Sequence, residues 1–434
     1  MDDRAGTDTD TDTDTAAADP GGAAAGSHDD GWHAVDGAAP LDAAERERLA
    51  AVEASALLGT PPEERFDRIT RFARELFDVP MSYLNLVDDA SLVVKSPQEP
   101  GEAAPRFPYG AAFCEYTVHG TGLFEVTDAS LDPRFAESPA VTAFGVRSYA
   151  GVPLRADGGQ AIGTLCILHP EPRRLTGEER GRLVDLGRWA EAEIRQGQGQ
   201  GPASDVTVTV DPTAAGQRPA LHHGDLTATA LDRPHGAVSG DLHAWAEGGD
   251  VVTATLADVM GKGAAAGALA EALRRSLYEG PDGTDAPPAT ALATAARALG
   301  PQLAEAGSFV TLFHARVDTR SGDVEYVDAG HGLTLHLRAS GTVERLSSHD
   351  LPLGLQDAAE GWTTGTLRLE PGDALVSVSD GVLDVYDSTL ASLDRVVADL
   401  RAERDVEAFL DAFSVKVGVA QVDDDVTVLV VTRS

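Results

Sequence analysis

The chain has little cysteine, very little lysine, few aromatics and no long apolar run. Its two cysteines, Cys114 and Cys166, exclude a disulfide framework and suit a reducing compartment. Lysine occurs only at Lys95, Lys262 and Lys416, so the 34 basic residues are nearly all arginine, against 70 acidic ones, for a formal net charge of −36. A surface this acidic argues against nucleic acid and anionic membranes as partners, and it concentrates divalent cations. For most of that charge, solubility is explanation enough. No apolar run approaches the roughly 18 residues of a membrane span. Met1-Asp2-Asp3-Arg4 lacks the basic and apolar regions of a signal peptide, so the expected location is the cytoplasm. Apolar content of 42 % is ordinary for globular material, and 434 residues predict two to three domains.

Residues 1–40 are a Thr-Asp repeat followed by Ala, Gly and more Asp, a composition expected to form a disordered acidic tail. Folded sequence is expected over 41–196. Helices are predicted at 41–58 and 63–77, the second with Phe66, Ile69, Phe72, Ala73 and Leu76 on one face. Strands follow near 81–87, 123–126, 148–153 and 161–168. A helix over 176–195 carries Leu183, Leu186, Ala190 and Ile194 as an apolar stripe, fit for core packing or for a partner helix in a homodimer. The Gln-Gly alternation and Pro202 that follow read as a flexible linker over 197–218. Strand-like alternation starts from about Asp205, at Val206, Val208 and Val210, and 219–434 reads as the second domain. Clearer strands are predicted at 241–246, 251–257, 310–317, 324–327, 333–337, 374–379 and 426–431, and helices at 264–278, 290–303 and 405–413. Strands outnumber helices and short turns join neighbours. That pattern predicts an α+β chain of antiparallel sheets flanked by helices.

Four aspartates end or begin strands beside glycine or another aspartate: Asp241, Asp258, Asp380 and Asp424. Hard divalent cations prefer oxygen ligands, and a site for two ions needs several carboxylates converging. One pair can be placed geometrically. If Glu247-Gly248-Gly249-Asp250 is a four-residue turn, Ala246 pairs with Val251 and Asp241 lies opposite Leu256. Asp258 then shares a face with Asp241 at a diagonal of ~7–8 Å. Each aspartate alone has a plainer reading, since Asp380-Gly381 is an ordinary turn signal and Asp424 an ordinary loop residue.

Six motifs in order change those odds: Val238–Asp241 (Val-Ser-Gly-Asp), 257–263 (Ala-Asp-Val-Met-Gly-Lys-Gly), 329–331 (Ala-Gly-His), 351–355 (Leu-Pro-Leu-Gly-Leu), 372–381 (Gly-Asp to Ser-Asp-Gly) and 424–427 (Asp-Asp-Val-Thr). Together they resemble the SpoIIE-like branch of the metal-dependent, PPM-type protein phosphatases over about 221–433. The resemblance implies a β-sandwich flanked by helices with two Mn or Mg ions at one end. It implies Asp241, Asp258, Asp380 and Asp424 as metal ligands, with the backbone of Val259 a further oxygen donor. Catalysis would run through water activated at the metals, attacking phosphorus in line. The substrate implied is a phosphorylated regulatory protein of the anti-anti-sigma type. Departures from the pattern are Leu242-His243-Ala244 after Asp241, Gly332 after His331, and no Leu-Leu-Pro segment entering the domain. His243 and His331 read as packed or loop histidines rather than substrate-side groups. Two other readings stay open: a catalytically silent protein that binds a phosphoregulator, and hydrolysis of a non-protein phosphate ester.

Residues 41–195 resemble a GAF sensor domain through Thr60 to Asp67, Leu86-Val87-Asp88-Asp89, Phe113-Cys114, Asp132-Pro133-Arg134-Phe135, Tyr149 to Leu154 and Ile162 to Cys166. The resemblance implies an unidentified ligand and control of the phosphatase. Cys114, Tyr116 and His119 are read as core or loop residues in preference to pocket-lining ones.

Overall fold

The computed structural model describes residues 42–96, 106–108, 113–196, 220–236, 238–261, 263–279, 285–357, 359–420, 422 and 424–434. The expected tail at 1–40, the linker at 197–218 and the alternation at Val206, Val208 and Val210 lie outside them.

In the first half the order is α1 (Ala43–Ala54), α2 (Glu64–Phe77), β1 (Met81–Val87), β2 (Ser91–Val94), β3 (Arg106–Pro108), α3 (Phe113–Val118), β4 (Phe124–Val126), α4 (Pro139–Thr142), β5 (Ser148–Arg155), β6 (Ala161–His169) and α5 (Gly177–Gln196). The strands form one antiparallel sheet in the order β3-β2-β1-β6-β5-β4. Alternation along each strand divides its residues between two cores. Leu84, Leu86, Val152, Leu154, Leu165 and Ile167 pack with α2 and α5, whereas Val87, Tyr149 and Cys166 pack with Phe113, Cys114 and Val118 of α3. The expected face of α2 is enclosed, and Asp78 closes the helix in a left-handed conformation. The stripe on α5 is fully enclosed too, with Leu183, Leu186, Ala190 and Ile194 each 0 % exposed. That burial removes the feature that suggested a partner helix.

The second half runs β7 (Ala220–His223), β8 (Leu226–Arg233), β9 (Asp241–Gly248), β10 (Val251–Val259), α6 (Ala264–Tyr278), α7 (Pro288–Ala306), β11 (Val310–Asp318), β12 (Asp323–Ala329), β13 (Thr334–Leu337), β14 (Val343–Arg345), β15 (Gly365–Arg368), β16 (Ala374–Val378), α8 (Gly381–Asp384), α9 (Ser392–Ala402), α10 (Val406–Val419) and β17 (Val426–Arg433). Two antiparallel sheets result, β15-β12-β11-β10-β9 and β14-β13-β16-β17-β8-β7. Their facing residues, among them Ala228, Leu256, Phe313 and Leu429, form the central core. The outward residues of the first sheet pack on α6 and α7, and those of the second on α9 and α10. The architecture is therefore a helix-flanked sandwich, as expected.

The hairpin register differs from the expected one. Val251 pairs with Gly248 and Asp258 with Asp241, so the turn is only Gly249-Asp250. Gly249 has φ +57° and takes the first place of the turn, where primed hairpin turns favour glycine. The shift is two residues, which preserves the face. Asp241 and Asp258 are thus directly opposite rather than diagonal.

Residues Ala43–Ser434 form one compact unit. Phe309 and Leu351 of the sandwich join the core beneath α2 and α5, and Trp189 meets Phe309 edge-on at 6.3 Å.

Candidate functional site

Asp241 opens β9 and Asp258 lies one residue from the end of β10. Asp380 follows β16, and Asp424 stands just before β17. These last two strands are neighbours, with Val378 opposite Val428. Ser379 fastens their ends together. Its N–H donates to Thr427 O at 2.9 Å, its hydroxyl donates to Asp425 O at 3.2 Å, and Thr427 N–H donates to Ser379 Oγ at 2.9 Å. Gly381 matters here for space, because a Cβ on it would lie 2.1 Å from Asp425 O. Close approach, rather than a positive φ, explains glycine after Asp380.

The two sheets are tied at the same place. Thr427 Oγ1 donates to Asp241 Oδ2 at 2.6 Å, and Asp425 accepts from the backbone N–H groups of Gly240 and His235, both at 2.7 Å. Asp425 thus orders the loop that delivers Asp241. Val259 N–H donates to Gly240 O at 3.2 Å, and a Cβ on Gly240 would lie 3.0 Å from Val259 O. The Val259 carbonyl therefore stands beside the loop that presents Asp241.

Burial, then the neighbouring Asp258, pushes the Asp241 carboxyl well above the ordinary carboxylate range. Burial raises Asp258 likewise, followed by Asp380 and Asp424, with Arg68 acting the other way. The four aspartates therefore stand in one another's field. Unlike Asp241, Asp258 accepts no side-chain hydrogen bond among the described residues.

Two residues that sequence reasoning missed come from the sensor half. Arg68 of α2 donates from Nη2 to Glu193 Oε1 of α5 at 2.5 Å, and the same nitrogen is 3.5 Å from Asp380 Oδ2. Trp189 Nε1 also donates to Glu193, at 2.9 Å. The only sequence signal was a charged residue beside the apolar positions of α2.

The other residues singled out are packed or surface groups. His331 is buried, with Nε2 3.0 Å from Ser377 Oγ, and burial lowers its pKa to about 3. His243 lies on β9 opposite Leu256, and burial lowers its pKa as well. The 329–331 and 351–355 motifs pack on one another: Gly330 has φ +71°, and a Cβ there would lie 2.5 Å from Pro352. In the sensor, Cys114 is core and Tyr116 is exposed against Phe124 and Phe135. His119 has its Nδ1 3.9 Å from Glu45 Oε2. A cleft of about 800 Å³ lies between the halves, lined by Glu63, Arg65, Glu193, Asp380, Asp384 and Asp424 among others.

Among the described residues no three acidic, histidine or cysteine side chains close round a single point as a metal-binding group. The donor chemistry nonetheless fits a hard divalent cation, which often takes one or two carboxylates and fills its shell with water.

Residues 61–194 match the family model of the GAF domain, and residues 248–434 match that of Stage II sporulation protein E (SpoIIE). The chain thus carries a region that matches the GAF domain, followed by one that matches SpoIIE. It is 34 % identical over 135 residues to a cyclic di-GMP phosphodiesterase of Pseudomonas aeruginosa, covering 31 % of this chain and 23 % of that one. It is 27 % identical over 183 residues to the phosphoserine phosphatase RsbU of Bacillus subtilis, covering 42 % and 52 %. The chain thus spans about a quarter and about half of these relatives. The solved RsbU and RsbW domains of a Mycobacterium tuberculosis protein align at 23 % identity with a TM-score of 0.42, over 50 % of this chain and 60 % of that one.

Proposed function

We propose that this protein is a metal-dependent phosphatase that hydrolyses phosphoserine or phosphothreonine on a regulatory protein, under control of its GAF domain. The observation that supports this reading is the placement of Asp241 directly opposite Asp258, with Thr427 of the other sheet bonded to Asp241 next to the strand ends that carry Asp380 and Asp424. In this reading the four carboxylates and the Val259 carbonyl hold two Mn or Mg ions. Such ions supply Lewis acidity toward the phosphoryl oxygens and activation of water. The chain's own residues do the rest. Thr427 orients Asp241, Ser379 and Gly381 hold Asp380 against Asp424, and the cleft admits a phosphorylated side chain. The match to the phosphoserine phosphatase RsbU supports phosphoserine as the substrate group, and the resemblance of the six motifs implies a small anti-anti-sigma-type regulator as its carrier. We assign 41–196 to the sensor and 219–434 to the phosphatase.

The test is phosphate release from a phosphoserine protein, with Mn and with chelator, by wild type and Asp380→Asn. Turnover that needs Mn and falls at least about a hundredfold in the variant is expected, since a metal clamp supplies several kcal/mol at 1.36 kcal/mol per tenfold. An inert wild type would favour a silent binding protein. Faster turnover of small esters than of the phosphoprotein would replace the substrate class.

A further inference from the structure

We propose that Arg68 is a withdrawable plug of the carboxylate centre, so that docking of α2 onto the sandwich and binding of a cation oppose one another. The inference rests on the reading of the four aspartates as a cation site. The side chain is 5 % exposed and its Nη2 stands between Glu193 Oε1 at 2.5 Å and Asp380 Oδ2 at 3.5 Å. It also acts on Asp258, where it opposes the two neighbouring aspartates. A guanidinium so placed neutralises the carboxylates that a divalent ion would use. Two cations sharing the Asp380 carboxylate repel each other strongly in a partly desolvated site.

Arg68 is poorly satisfied where it is. Its Nε is buried without a hydrogen-bond partner, an unfavourable state for a charged group. Its main partner, Glu193, belongs to the same sensor half, so the ion pair withdraws intact if that half moves. On the far side of α2 the polar attachment includes Glu64 N–H donating to Ser388 O at 3.0 Å, where Ser388 holds a left-handed φ of 59°. Beside it lies the open cleft of about 800 Å³. Coupling between two binding events is reciprocal. A sensor signal that loosens α2 therefore raises cation affinity, and cation binding loosens α2.

The experiment is calorimetric titration of the full chain with MnCl₂, with circular dichroism and melting of each metal-free variant as the check on folding. Arg68→Gln is expected to bind Mn at least about fivefold tighter, the lower end of usual coupling factors, with Arg68→Lys in between. Because Arg68→Gln strands the buried Glu193, the double variant Arg68→Gln/Glu193→Gln provides a neutral pair and is expected to show the same gain. Arg71→Gln removes the same charge one turn of α2 away and is expected to show no comparable gain. Unchanged or weaker Mn binding in the folded double variant overturns the plug. So does an equal gain in Arg71→Gln, which would make the effect one of net charge. If wild type and every variant bind no Mn, the cation site falls and the plug with it. If all bind equally and hydrolyse phosphoserine, only the plug falls. Lower activity at unchanged Mn affinity in Arg68→Gln would make Arg68 a phosphate-binding group and overturn the proposal.

Discussion

The sandwich holds two sets of aspartates, one buried and one half-buried, and they are treated differently. Asp328 accepts from His331 N–H at 2.9 Å and from Gly332 N–H at 3.0 Å. Asp373 is held by the N–H groups of Ala339 and Glu370 and by His336, and Asp350 by the N–H and hydroxyl of Thr363. Each of these acids ties down a loop. Asp241 and Asp258 instead stand directly opposite one another, and among the described residues Asp258 accepts no side-chain hydrogen bond. An acid whose oxygens are occupied by backbone donors is structure. Acids brought together without enough donors store repulsion that a ligand can relieve, which is the mark of a working site.

The largest expected effect breaks the first set. Asp328→Ala leaves two N–H groups of the 331–332 turn without their acceptor, at about 1–3 kcal/mol each, and should lower the melting temperature clearly. Asp258→Asn, measured without metal, should instead raise it, because a repulsion is removed, while abolishing the further rise that Mn gives to wild type. A metal-free Asp258→Asn protein as unstable as Asp328→Ala would dissolve the distinction.

A middle-sized effect concerns how the second set is held together. Gly381→Ala forces a Cβ against Asp425 O and should cost about 1–3 kcal/mol, with loss of turnover as Asp380 moves from Asp424. The control is Gly181→Ala on α5, where a Cβ meets nothing within 4 Å. It should stabilise by about 0.5–1 kcal/mol through helix propensity. Melting curves and phosphate release on both variants separate a local clash from a general effect of adding a methyl group.

The smallest effect sharpens the comparison with an intermediate case in the sensor. Asp67 accepts one hydrogen bond, from Ser96 Oγ at 2.6 Å, and burial raises its pKa to about 6. Its native pKa lies above the unfolded value near 4, so the native state binds more protons between them. Stability should therefore fall as pH rises from about 4 to about 6. Asp67→Asn keeps an acceptor for Ser96 and should flatten that part of the profile of melting temperature against pH.

The sandwich was legible where strands carry large β-branched residues, as in Val426 to Val431, and α6 begins and ends where its periodicity predicted. β8 escaped notice because its inward residues include Ala228 and Ala230, too small to mark an apolar face. α9, with its shorter apolar face, was missed as well. The β9–β10 register was misjudged by two because Glu247 and Gly248 read as turn, yet the period of two kept both aspartates on one face.

The sequence by itself determined which carboxylates stand at strand ends, because alternation and Asp-Gly punctuation are local signals. Only the tertiary structure decided how they meet: Thr427 on Asp241, Asp425 on the Gly240 loop, and Gly381 pressed against Asp425 O. It alone also brought Arg68 and Glu193 from the sensor half to Asp380. The physical reason is the same in each case. These contacts join segments far apart in the chain, and their energies depend on burial and distance, which no local pattern of residues encodes.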